Sequence, residues 1–344
     1  MVMVLCFFLL EPTLQAIHFL SYLSPAIQLM TLIIKQMKPY LKIMAVAVLL
    51  VLHPDFIFGQ LSISGKIIEI TTRKPVQFAN IWIKDANIGT TSDKDGFFAI
   101  VADSLNKNKN VVISAIGYSD TIIALGNIQN EICLRQKTYQ LPEIAVTPKK
   151  KNVLIINDLS DTKLNAVIMN DTTPQIVGRF FHYDNRNLKF RYVKSVIVYS
   201  RDIHKGKFNL RLYSFDTINL KPVKELVNQN IIVETRSSLM AQPKPVEIDL
   251  AKYKITFPDE GLLVCVEWLI LPENRYKVTI SLDGKSKELK TMYSPNLAAT
   301  LDKDGYRYQY NKGVWWKPVI SIRPPTYKGN DCYFNPAISL KLTD

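Results

Sequence analysis

The stretch "TSDKDGFFAI", residues 91–100, decides how the first third of the folded chain reads. Asp93, Asp95 and Gly96 stand where a calcium loop places acidic ligands and its sharp turn. Such a loop needs further ligands and a closing Glu after the Gly, but Phe97, Phe98, Ala99 and Ile100 follow at once. An Asp at the head of a tight turn bonds the backbone just ahead of it, and Gly takes positive φ without strain. The stretch therefore reads as a hairpin turn, not a metal site. Phe97 and Phe98 then point to opposite faces of the returning strand, one of them into a core.

Outward from this turn the chain is a series of short strands. "SISGKIIEI" (62–70) alternates, "TTRKPV" (71–76) breaks the pattern, and "QFANIWIKD" (77–85) alternates again. "NVVISAIGYSDTIIAL" (110–125) supplies two more strands. Strands this short, with turns at this spacing, predict a small antiparallel sandwich.

Together, "ISGKIIEITTRKPVQFANIWIKDANIGTTSDKDGFFAI" and "VVISAIGYSDTIIAL" resemble the carboxypeptidase regulatory-like domain, a transthyretin-like seven-stranded β-sandwich. Gly65, Pro75, Ala79, Ile81, Gly89, Thr90 and Thr91 fit the family's places, as do Asp93, Gly96, Phe98, Ile116, Gly117 and Tyr118. The likeness covers a domain at residues 60–136, with a polar insertion "DSLNKNKN" before residue 111. The resemblance implies a non-catalytic folding or docking module. Such modules head many exported gram-negative proteins, TonB-dependent receptors among them, and also accompany zinc carboxypeptidases. A peptidase site is not encoded here. Beyond residue 59 the only histidines are His182 and His204, and Asn185 and Lys207 stand where a His-x-x-Glu zinc pair needs Glu. No catalytic residue, cofactor or metal is expected.

The first 59 residues are of a different material and read as a leader. "MKPYLKIMAVAVLLVLHPDFIFGQ" starts at Met37 with Lys38 and Lys42, runs apolar from Ile43 to Leu52, and ends on Phe58, Gly59 and Gln60. A positive start, a short apolar centre and a small residue before the end make a secretory signal peptide over 37–59. Residues 1–36 then read as a mis-called start; polar residues from Glu11 to Gln28 dilute any membrane span there. The expected address is the periplasm, outer membrane or cell surface of a gram-negative bacterium.

The whole sequence carries 344 residues and a net charge of +13. Its Lys and Arg are spread along strand-like segments, with one dense run at Lys149, Lys150 and Lys151, so a nucleic-acid surface is not expected. Expected partners are an envelope protein or a glycan, with membrane contact only through the leader or an outer-membrane partner. Beyond the leader there are three cysteines, Cys133, Cys265 and Cys332. Either Cys265 and Cys332 form a disulfide, or Cys265 is a buried free thiol among apolar neighbours.

Residues 137–165, with "YQLPEIAVTPKKK" at 139–151, read as a linker. Residues 166–344 again read as strands, about nine of them, which predicts a larger jelly-roll-like β-sandwich. "KFNLRLYSF" puts Phe208, Leu210 and Leu212 on one face and Asn209, Arg211 and Tyr213 on the other. "GLLVCVEWLI" is almost continuously apolar, as a strand covered on both sides should be. "LDKDGYR" at 301–307 repeats the earlier turn chemistry and reads as a second hairpin.

The fold class expected is thus all-β, and the function that of a non-enzymatic exported envelope protein that binds or docks. The alternative is a carbohydrate-binding surface protein. Its candidate residues are Trp315, Trp316, Tyr306, Tyr308 and Tyr310, since exposed rings can stack on sugars. His182, Tyr183, Asp184 and His204 come with no nucleophile elbow, phosphate loop or carboxylate pair and suggest no acid–base chemistry.

Overall fold

The computed structural model describes residues 60–344 except 138–151, 161, 165, 184–188, 217, 220, 239, 241, 281–286 and 318–331. The leader, most of the expected linker, Asp184 and the strand expected in "PVISIR" fall outside the described residues. The stretch 60–344 is one compact unit. Its architecture is all-β, built as two sandwiches. No described helix is long and apolar enough to cross a membrane.

The first sandwich holds β1 (Gln60–Glu69), β2 (Asn80–Ile83), β3 (Gly89–Thr91), β4 (Phe97–Asp103), β5 (Asn110–Ser114), β6 (Thr121–Ala124) and β7 (Glu131–Leu134). One sheet runs β4-β1-β7 and the other β3-β2-β5-β6. Strand alternation sorts the side chains: Phe98, Ile100 and Ala102 of β4 point inward, while Phe97 and Val101 face out. They meet Ile67, Ile81, Ile83, Val111, Ile113 and Leu134 in a single core.

The "TSDKDG" turn needs one correction. Asp93 Oδ1 accepts hydrogen bonds from the Asp95 and Phe97 amides, both at 2.8 Å, and Gly96 has φ +79°. The turn chemistry is as expected, but β3 and β4 do not pair with each other. β3 pairs with β2 and β4 with β1, so the turn is a corner that carries the chain from one sheet to the other. "LDKDG" at 301–305 does the same in the second sandwich.

The second sandwich begins inside the stretch expected to be linker. Its strands are β8 (Val153–Ile156), β9 (Ala166–Asn170), β10 (Gln175–Phe181), β11 (Tyr192–Ser200) and β12 (Lys207–Asp216). Then come β13 (Lys221–Glu225), β14 (Ile232–Glu234), β15 (Lys244–Asp249), β16 (Leu262–Trp268) and β17 (Arg275–Ile280). The last are β18 (Glu288–Asp302), β19 (Arg307–Asn311), β20 (Val314–Trp316), β21 (Tyr333–Pro336) and β22 (Ile338–Thr343). β8 pairs with β22, the C-terminal strand, so part of the expected linker is sheet.

Seven strands form one sheet along β13-β12-β16-β10-β19-β20 with β14 beside β12. Eight form the other along β17-β18-β11-β22-β8, with β15 on β11 and both β21 and β9 on β18. The main core lies between them. Phe208, Leu210 and Leu212 of β12 meet Val264, Val266 and Trp268 of β16, with Val196, Val198 and Leu340 across the gap.

β16 is central, flanked by β12 and β10, and buried on both faces. Leu263 and Cys265 point to the outer face of the seven-stranded sheet, into a second, aromatic cluster with Phe180, Phe215 and Tyr308. Cys265 and Cys332 are both buried, and no disulfide joins them. Burial holds the Cys265 thiol well above its ordinary pKa, which leaves it a small apolar filler.

Candidate functional site

Two residues further along β16, the outer face carries Glu267 rather than an apolar side chain, and there the first sandwich sits. Asn80, on the face of β2 opposite the first core, donates from Nδ2 to Glu267 Oε1 at 2.7 Å. Asn209 donates to Glu267 Oε2 at 2.8 Å, and Arg211 Nη1 donates to Oε1 at 2.8 Å. Arg211 also holds Glu225 with both ends of its fork, at 2.7 and 2.8 Å. Neighbouring contacts extend the seam. The Ile270 amide donates to Thr91 Oγ1 at 2.8 Å, and Thr172 Oγ1 donates to the Asn87 carbonyl at 3.1 Å. A Cβ on Gly89 would stand 2.4 Å from Pro174.

The electrostatics follow from burial. Desolvation lifts the Glu267 carboxyl above the usual carboxylate range, and Arg211 opposes that shift. Desolvation works to strip the proton from Arg211, but Glu267 and Glu225 outweigh it and hold the guanidinium firmly charged. One buried cation is thus shared by two carboxylates, and all its strongest donors are committed.

Beside this seam the two sandwiches leave a cleft of about 370 Å³. Its aromatic wall comes from the second sandwich. The Trp315 ring lies 5.3 Å from Tyr310, tilted by 49°, and meets Tyr213 edge-on at 5.5 Å. Arg211, Glu225 and Lys224 of the same sandwich also line it. The opposite wall comes from the first sandwich, with Ser114, Asp120 and Lys137. Ser114 Oγ donates to Asp120 Oδ1 at 2.8 Å, and both Asp120 and Lys137 are exposed. Burial raises the Tyr310 phenol pKa, and the Asp120 carboxylate raises it further.

The five aromatic residues expected to form a site are not gathered into one. Tyr310 and Trp315 line the cleft. Tyr308 is buried, with its ring edge-on to Phe215 at 4.6 Å, as part of the outer-face core. Tyr306 lies under the Arg179 guanidinium at 5.2 Å and edge-on to His182. Trp316 pairs in register with Gln309, faces away from Trp315 and is 43% exposed. His182 and His204 are exposed on separate strand ends. The residues that the sequence did not point to are Asp120, Lys137, Arg211 and Glu225. Only the polar face of "KFNLRLYSF" hinted at them, and a polar strand face ordinarily meets water.

Among known families, residues 63–166 match the CarboxypepD_reg-like domain. The first sandwich, which lies within that match from Ile63 onward, is a carboxypeptidase regulatory-like domain, a non-catalytic module, and the match runs on through β8 to the start of β9 in the second sandwich. No curated protein matches the chain. Two solved structures show a slight likeness. A clostridial cysteine protease, Cwp84, after propeptide cleavage has 12% identity and a TM-score of 0.29, over 81% of this chain and 70% of that one. The cysteine protease and lectin-like domains of Cwp84, a surface-layer-associated protein of Clostridium difficile, have 10% identity and a TM-score of 0.28, over 83% and 59%. Likeness at that level defines neither fold nor activity.

Proposed function

We propose that the protein is a non-enzymatic binding module of the bacterial cell envelope, with the cleft between its two sandwiches as the binding site. The observation that carries this reading is the composition of the cleft. It has an aromatic wall from one sandwich, exposed charged groups from the other, and a volume in the range of small-molecule pockets, about 300–1,000 Å³. The reaction machinery expected of a hydrolase is a nucleophile held by a base, or a carboxylate pair of split pKa. At this cleft the two acidic groups have other work: Glu225 is clamped by Arg211, and Asp120 is held by Ser114. The leader supports an address outside the cytoplasm.

Thermal unfolding of the purified chain against saccharides, peptides, nucleotides and lipids tests this reading. A true ligand should raise Tm and be recovered chemically unchanged. The shift should vanish in Ser114→Trp, which fills the cleft from a half-buried position on its lining. A ligand recovered cleaved or modified would replace binding with catalysis. Fractionation of cells making the protein should find it outside the cytoplasm, with Gln60 as the first residue.

A further inference from the structure

We infer that the cleft takes a neutral saccharide, and that the carboxypeptidase regulatory-like module supplies half of the binding groups. This inference rests on the reading of the cleft as a binding site and names what it binds.

The lining excludes other ligand classes in turn. An apolar ligand would strip water from Asp120 and Lys137 without replacing their hydrogen bonds, which is unfavourable for any charged group. A phosphorylated or otherwise anionic ligand needs free cationic donors in excess. Arg211 has its fork spent on Glu225 and Glu267, and Lys137 and Lys224 share the lining with the Asp120 carboxylate, which repels an anion. A cation held by the aromatic rings would be repelled by Lys137 and Lys224, which share the lining with them. What remains is an uncharged molecule with an apolar face and many hydroxyls.

A pyranose has that shape. One face of C–H groups stacks on an indole or phenol ring, and its hydroxyls both donate and accept. Trp315 and Tyr310 offer the rings, with little conformational freedom left to lose because both are packed against each other. Asp120 has a carboxylate oxygen beyond the one held by Ser114, and Lys137 brings an exposed ammonium to the same lining. The carboxylate accepts from hydroxyls and the ammonium donates to them. The two walls belong to different sandwiches, and the Asn80–Glu267 and Thr91–Ile270 hydrogen bonds fix their separation. The first sandwich brings no ring to the lining, and in the second Arg211 and Glu225 are committed to each other, so the stacking surface and most of the available polar groups come from different sandwiches.

The experiment is titration of the full chain with neutral oligosaccharides, acidic oligosaccharides and short peptides, followed by calorimetry and tryptophan fluorescence. A neutral oligosaccharide should bind and perturb the fluorescence. Trp315→Ala should weaken it tenfold or more, and Trp316→Ala should leave it unchanged. Asp120→Ala and Lys137→Ala, at exposed positions, should each weaken it at least fivefold with Tm unchanged. Saccharide binding untouched by both of those changes would overturn the shared site. Binding of peptides or acidic sugars in place of neutral ones would overturn the ligand class, yet leave the cleft as a binding site. If none of the three classes binds, the ligand class fails, and failure of the wider thermal screen as well would remove the binding reading itself.

Discussion

Asn80 and Glu267, 187 positions apart in the chain, are joined by a 2.7 Å hydrogen bond that locks the first sandwich onto the outer face of the second. Glu267 is buried and serves as the common acceptor of Asn80, Asn209 and Arg211. Removing one partner from such a network leaves the others buried and unpaired, the most destabilising kind of polar change. Glu267→Ala should therefore cost about 3–5 kcal/mol in urea denaturation. Asn80→Ala should cost about 1–3 kcal/mol, as expected for one lost buried hydrogen bond. A Glu267→Ala loss below about 1 kcal/mol would mean that water takes over the site.

Two carboxylates should leave opposite marks on the pH dependence of stability. Glu69 is held at about pKa 2 against an ordinary value of 4.5, first by hydrogen bonding from Thr72 and then by the Thr71 amide. Its folded pKa is depressed, so its contribution is present above pH 4.5 and lost as pH falls towards about 2. Glu267 is shifted the other way by burial, so its contribution is full below its ordinary value of 4.5 and is lost as pH rises through the folded value. Glu69→Gln should flatten the acid limb of a Tm-versus-pH curve, and Glu267→Gln the limb above 4.5. Parallel curves for all three proteins would show that neither carboxylate is linked to folding.

Much of the first sandwich was legible because its signals are local. Alternation marks β4, and the Asp93–Gly96 chemistry marks a tight turn. The same chemistry does not say which sheet the next strand joins, and both DKDG turns are corners rather than hairpins. Asp302, in the second, is held by its neighbour Thr300 but also by Arg179 and Asn335, which are distant in sequence and which the turn sequence does not reveal. β18, the longest strand, escaped notice because Ser294, Pro295 and Asn296 interrupt its pattern. There the register shifts between Tyr293 and Leu297, so a strand with a break continues on both sides of it. The cleft was illegible for a related reason: its charged residues come from strands far apart in sequence, and each alone resembles an ordinary solvent-facing position.

Gly89 should be sensitive for a reason that its own sandwich does not show. A Cβ there would stand 2.4 Å from Pro174 Cδ and 3.0 Å from the Ile81 carbonyl. The proline ring and the backbone have little room to give. Gly89→Ala should cost about 1–3 kcal/mol, as overpacking does. A fall in Tm of a few degrees would fit, and an unchanged Tm would show that the seam between the sandwiches is loose.

Gly96 tests the corner itself. Its φ of +79° resists a β-branched residue, and a Cβ would stand 2.5 Å from the Ile67 carbonyl. Gly96→Val should cost about 1 kcal/mol for the backbone conformation alone, and more for the contact. Asp93→Asn keeps an oxygen in place for the Asp95 and Phe97 amides and should change Tm little. Tight calcium binding that disappeared in the Asp93 variant would reverse the assignment of the turn.

The aromatic residues of the second sandwich should divide by position rather than by type. Tyr308 is 3% exposed, between Phe180 and Phe215, so Tyr308→Ala opens a cavity in the outer-face core. Large-to-small changes of that kind cost about 3–5 kcal/mol. Trp316, 43% exposed on the other face of β20, should cost no more than about 0.5 kcal/mol when changed to Ala. Trp315 stands between these limits: it touches Tyr213 and Tyr310 but also faces the cleft, so Trp315→Ala should destabilise less than Tyr308→Ala. Chemical denaturation of the three variants gives the order directly. If Trp315 proved as costly as Tyr308, its ring would be core, and the wall of the cleft would have to be sought in Tyr310 alone.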